Sequence, residues 1–208
     1  MKKTILFQGD SITDCGRANT GASGFSNGGM GTGYPSLVLA RTVCDHPETE
    51  WNFINRGISG NRIVDLYARW RSDCLNLEPD VLSILVGVND TWHEENRNGV
   101  DVKRYERFYR ELLVWTLDTL PRIKLVLMEP FVCAHDDRIK GMEAEVAERA
   151  GVVKQLAAEF GAIFIPLQRV FNEAFARAPK PYWSGDGVHP SPAGHQLIAD
   201  AWLEAVKL

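Results

Sequence analysis

The sequence predicts an α/β protein, a three-layer α/β/α sandwich around a mostly parallel sheet of about five strands. Two observations predict it. Short β-branched or apolar runs alternate with longer segments of helical period, in the order βαβαβαβα with short links. Some of the short runs are continuously apolar, as in Leu82-Ser83-Ile84-Leu85-Val86, which suits strands buried on both faces of a parallel sheet.

The strands are expected at residues 4–7, 53–55, 81–86, 124–128 and 162–165. Between them, Ile63, Tyr67, Trp70, Cys74 and Leu77 recur every three or four residues and make one apolar helix face. Tyr105, Phe108, Leu112 and Trp115 make a second, and Met142, Val146, Ala150, Val153, Ala157 and Phe160 a third. A last helix follows Pro192, with Leu197, Ile198, Ala201, Trp202 and Ala205 turned inward. Two longer polar loops remain, a Gly-rich one at 16–33 and another at 93–102. Ligands of open parallel sheets sit beyond the carboxyl ends of the strands, and both loops can reach that rim.

No linker or internal repeat divides the chain, so residues 1–208 are read as a single domain. Apolar residues make up 45%, charged residues 24%, and the net charge is −4. With no basic run, a nucleic-acid or membrane partner is not expected. The start, MKKTILFQGDS, has only Ile5 to Phe7 as an apolar part, too short for a signal peptide. The four cysteines are widely spaced and form no C-x-x-C pair. Reduced thiols in the cytoplasm are therefore the expectation, with neither a metal nor a cofactor.

The chemistry lies at the strand ends. Gly9-Asp10-Ser11 follows the first strand, Asn55-Arg56-Gly57-Ile58-Ser59-Gly60-Asn61 the second, and Gly87-Val88-Asn89-Asp90 the third. Asp186-Gly187-Val188-His189-Pro190 precedes the final helix. Singly, each has an ordinary role. Ser11 can be a helix cap, because Ser11-Ile12-Thr13-Asp14 resembles a capping box, and Gly60, Asn89 and Asp186 can be turn residues. Jointly they supply the parts for acyl transfer. Ser11 is the candidate nucleophile, His189 the base, and Asp186 the group that fixes its tautomer. Gly60, Asn89 and the Ser11 amide are the candidate oxyanion donors. His195 competes for the base role from within the last helix, whereas His46, His93 and His135 are read as surface groups. Gly57-Ile58-Ser59-Gly60 misses the G-x-S-x-G elbow by one residue, and Gly28 to Gly33 does not match G-x-G-x-x-G.

These blocks, from Gly9 to His189, resemble the SGNH, or GDSL-type, hydrolase family. The resemblance implies a flavodoxin-like sandwich and metal-independent hydrolysis of esters or thioesters by a Ser-His-Asp triad. Asp14-Cys15-Gly16-Arg17, Gly31-Thr32-Gly33-Tyr34, Asn55-Arg56-Gly57-Ile58-Ser59-Gly60-Asn61, Asp65-Leu66-Tyr67-Ala68-Arg69-Trp70 and Phe171-Asn172-Glu173 are further similar to the intracellular acetylxylan esterase branch. That similarity implies a xylo-oligosaccharide ester as substrate and a homo-oligomer. One departure is plain: the branch places an aromatic residue just before the catalytic aspartate, where this chain has Ser184-Gly185.

The expected function is thus a serine esterase that removes small acyl groups, acetyl foremost, from carbohydrate. Tyr34, Trp92 and Trp183 are candidate sugar-stacking residues, and Asp10 a candidate substrate contact. The alternatives are a lysophospholipase or acyl-thioesterase of the same family, or a carbohydrate-binding protein with a dead site.

Overall fold

The computed structural model describes residues 2–18 and 29–208. Strand β1 (Lys2–Gly9) leads into the one-turn helix α1 (Ser11–Asp14), and α2 (Tyr34–Asp45) and β2 (Glu50–Asn55) come next. They are followed by α3 (Ile63–Asp73), β3 (Val81–Leu85), α4 (Val88–Trp92), α5 (Val102–Thr119) and β4 (Lys124–Met128). The chain closes with α6 (Asp137–Glu159), β5 (Ile163–Ile165), α7 (Leu167–Ala174), α8 (Lys180–Trp183) and α9 (Pro192–Val206). The strands form one five-stranded sheet in the order β2-β1-β3-β4-β5, every pair parallel.

Each strand feeds its side chains alternately to two cores. Ile5 and Phe7 join Trp202 of α9 on one face, whereas Leu6 joins Trp70 of α3 and Leu112 of α5 on the other. With both faces covered, an all-apolar strand is what burial selects. Two interior hydroxyl groups are satisfied in place, whereas Gln8 Oε1 in β1 has no hydrogen-bond partner among the described residues. Ser83, inside β3, accepts the Trp202 indole N–H at 3.0 Å. Thr116 accepts the Trp70 indole N–H at 3.0 Å and donates its own proton to the Leu112 carbonyl at 2.6 Å.

The strands lie where the sequence places them, with longer ends on the first two. β1 extends to Lys2 and β2 begins at Glu50, because the Lys2 to Glu50 pairing continues the ladder past the apolar residues. The helix faces are shifted slightly. On α3 the buried positions are Ile63, Leu66 and Trp70, and Tyr67 is 37% exposed at the flank, its ring edge-on to Phe108 at 5.3 Å. On α5, Tyr109 and Leu113 share the buried face with Tyr105 and Leu112, while Phe108 and Trp115 line its rim. The polar loop at 93–102 contains one 3-10 turn, His93–Asn96, and Asp101 then caps α5 by accepting the Arg104 N–H. Residues 19–28 of the Gly-rich loop lie outside the described residues. Among the described residues no helix is long and apolar enough to cross a membrane.

The Trp70 indole makes a direct test of this packing. Thr116→Val keeps the volume but strands a buried N–H, and should cost about 1–3 kcal/mol of stability. Urea unfolding at an unchanged slope would show the loss as a lower midpoint.

Candidate active site

The strand order reverses between β1 and β3, and Gly9 at the end of β1 pairs with Leu85 at the end of β3. Whatever leaves these two strands emerges at one level, the usual ligand position in a doubly wound sheet.

From β1 the chain turns at Asp10, whose carboxylate accepts the Ile12 N–H at 3.0 Å and so caps α1. The cap is therefore Asp10 and not Ser11. Asp14 is no capping-box partner either: its carboxylate accepts the amide and the hydroxyl of Ser59, at 3.0 and 2.7 Å. The Ser11 hydroxyl is left for other work. It lies 2.8 Å from His189 Nε2, and His189 Nδ1 lies 2.6 Å from Asp186 Oδ2. The second Asp186 oxygen accepts the Val188 and His189 amides, at 3.0 and 2.7 Å. Partial burial alone would raise the Asp186 carboxyl, but the His189 ring and these two amides outweigh it and hold the group below its usual value. An ionised Asp186 accepts a hydrogen bond from Nδ1–H and fixes that tautomer, which leaves Nε2 free to accept from Ser11. The His189 and Asp186 side chains are 50% and 48% exposed, so the relay opens to solvent.

Two further loops leave the sheet at the same edge as Ser11. Gly60 has φ +82, a conformation that glycine adopts without strain, and the His93 imidazole lies beside it. Gly87 has φ +140, and a Cβ there would stand 2.9 Å from the Tyr105 hydroxyl, itself bonded to the Val86 carbonyl. α4 can therefore turn away from β3 only with glycine at 87, and Asn89 stands in the first turn of that helix. Asn89 Nδ2 donates to the Asn61 carbonyl at 3.2 Å. A carboxamide has two N–H groups, so this bond fixes the side chain and leaves the second free. Ser11 opens α1, and helix geometry leaves its amide without an intrahelical acceptor.

Three of the four expected substrate contacts lie elsewhere. Asp10 is buried beneath Ser11, and burial pushes its carboxyl up to about 7. Tyr34 is fully buried, its hydroxyl bonded to Thr13 at 3.0 Å and its ring edge-on to Phe7, so neither ring face is open to a sugar. Trp183 is buried, with its indole N–H on the Ala178 carbonyl and the Arg177 guanidinium 4.9 Å over the ring. Trp92 alone reaches the mouth, 6.3 Å from the His189 ring, with the Arg138 guanidinium stacked 4.2 Å over it and Arg138 bonded twice to Glu95.

His195, the rival base, is a buried structural group. Its Nδ1 accepts the Tyr34 amide at 3.1 Å and its Nε2 lies 3.4 Å from Cys15 Sγ. Burial, helped by the nearby His189, pushes it down to about 4, so it stays neutral. His93, read as a surface residue, instead stands at Gly60. Asp90, Asp14 and Arg138 also went unread as site residues. The signal for Asp90 is a carboxyl group next to the Asn89 carboxamide, but it reads as turn chemistry until its burial is known. Among the described residues all four cysteines are unpaired, and no group of three or more His, Cys, Asp or Glu is placed to hold a metal ion.

With the geometry in place, the class follows. The chain belongs to the GDSL-like lipase/acylhydrolase family, whose profile matches residues 7–197, and it is a carboxylic ester hydrolase. It is 38% identical over 208 residues to an acetylxylan esterase of Geobacillus stearothermophilus, covering 97% of this chain and 93% of that one. The crystal structure of Axe2, an acetylxylan esterase from the same organism, superposes with a TM-score of 0.91 at 34% identity, covering 99% of this chain and 94% of that one. A Parabacteroides merdae protein assigned to the GDSL-like lipases superposes with a TM-score of 0.92 at 41% identity, covering 99% and 95%.

The depressed His195 makes stability fall on acidification. Between pH 6.5 and about 4 the unfolded chain binds a proton that the folded chain refuses, and each unit of such a shift is about 1.4 kcal/mol. His195→Asn keeps an acceptor for the Tyr34 amide without titrating. The stability advantage of the parent over this variant should therefore shrink as pH falls through that window, read by urea unfolding at several pH values.

Proposed function

We propose that the protein removes acetyl groups from short xylo-oligosaccharides through an acetyl-enzyme on Ser11. The observation that carries the mechanism is the unbroken relay from Ser11 through His189 to Asp186, at 2.8 and 2.6 Å. The substrate class is supported by the 38% identity to an acetylxylan esterase along nearly the whole chain.

In this reading Ser11 Oγ attacks the acetyl carbonyl carbon as His189 Nε2 takes its proton. Negative charge gathers on the carbonyl oxygen, where the Ser11 and Gly60 amides and the free Asn89 N–H donate to it. The bond to the sugar oxygen breaks, and His189 returns the proton to the departing hydroxyl. A water molecule, deprotonated by the same imidazole, then cleaves the acetyl-Ser11 ester and releases acetate. Asp186 stays ionised throughout and steadies the imidazolium. Gly185 leaves open space just before Asp186, where an added Cβ would meet nothing within 4 Å.

Acetate release should be fastest with acetylated xylo-oligosaccharides in a screen that includes simple acetyl esters, acyl-CoA thioesters and esters up to laurate. A preference for long chains would favour the lysophospholipase or thioesterase reading. A fluorophosphonate should label Ser11 in the folded protein and fail with Ser11→Ala; an unlabelled parent would point to a binding protein. Asp186→Asn should lower kcat by about 10⁴. Asn89→Ala should cost about 2.7–4 kcal/mol of transition-state stabilisation, seen in kcat on p-nitrophenyl acetate.

A further inference from the structure

Asp90 is a buried carboxylate for which the reaction above has no use. It stands on α4 beside Asn89, fully buried, and its oxygens lie 3.1 and 3.3 Å from the Ile63 N–H. Ile63 is the first residue of α3 and follows Gly60 by three positions. Asn89 reaches the same segment from the same turn, through the Asn61 carbonyl. Two consecutive residues of α4 thus grip residues 61–63, the piece of chain that directly follows Gly60.

The grip is not a spare. The residue in the capping position of α3 is Arg62, whose side chain only donates, and a capping side chain serves the second or third helical N–H and not that of Ile63. The acceptor comes instead from another element. Asp90 is held from behind as well: its carbonyl accepts the Val100 N–H at 2.9 Å, and the Val100 carbonyl accepts from the buried Arg149 guanidinium. Burial pushes the Asp90 carboxyl up to about 7, against the Ile63 bond and the charge of Arg149, with Asp10 adding to the rise. A buried carboxyl group is a costly acceptor for a single N–H at the start of a helix.

We propose that Asp90 is a positioning residue for ester hydrolysis. By clamping the start of α3 to α4, it aims the Gly60 amide and the Asn89 carboxamide at one point. The proposal rests on the oxyanion reading of those two residues.

Asp90→Asn keeps the shape but weakens the charge-assisted bond, and Asp90→Leu removes the acceptor. On p-nitrophenyl acetate, kcat should fall about tenfold in the first and about a hundredfold in the second, the scale of a small misplacement, with KM changed less than about twofold. In an Asn89→Ala background the same substitutions should cost less than they do in the parent, because one of the two donors they aim is gone. Equal losses in both backgrounds, or a loss carried by KM, would overturn the clamp. Should Asp90→Leu fail to unfold cooperatively, the Asp90→Asn cycle decides by the same two outcomes. A wild-type kcat in Asp90→Asn beside a crippled Asn89→Ala overturns the clamp alone. Full kcat in Asn89→Ala overturns the oxyanion reading and the clamp with it.

Discussion

The pairing of β1 with β3 is the constraint on which the site depends. Because Gly9 meets Leu85 in register, the turns after the two strands emerge side by side, although more than seventy residues of chain separate them. One turn brings Ser11 and the other brings Asn89. β2, paired with the other edge of β1, delivers the Gly60 loop to the same rim, and α9 docks on the sheet so that the loop before it places His189. Slipping the ladder by one residue would turn Phe7 and Leu6 each to the opposite core. The two hydrophobic cores therefore guard the alignment of the site.

Burial divides the polar groups near Ser11 into two kinds. Asp186 and His189 are half exposed, and hydrogen bonds hold the carboxyl ionised, so this pair can move protons. Asp10, Asp90 and His195 lie underneath, and desolvation pushes each toward its neutral form. These groups are suited to fixing backbone: Asp10 caps α1, Asp90 holds α3, and His195 receives the first amide of α2. The same residue types serve chemistry at the surface of the site and architecture beneath it.

Much of this was legible in the chain. Strand positions follow from unbroken apolar runs, a signal that survives because burial on both faces leaves no room for polar residues. The site blocks were legible because strand-end residues share an edge in any parallel sheet. Side-chain direction was not. Tyr34 and Trp183 have the composition of a sugar platform, yet one packs on Phe7 and the other against Ala178 and Arg177. Ser11 reads as a cap by propensity, but Asp10, one residue earlier, takes that place.

By itself the sequence determined the α/β order, the parallel sheet and the blocks bearing Ser11, Gly60, Asn89, Asp186 and His189, since periodicity and strand-end placement are local properties. Tertiary structure alone decided which histidine faces Ser11, which carboxyl group is ionised and which aromatic ring reaches the mouth. Those outcomes depend on desolvation and on partners distant in the chain. For His195 the difference is made by the Tyr34 amide, 161 residues away, and for His189 by Ser11, 178 residues away.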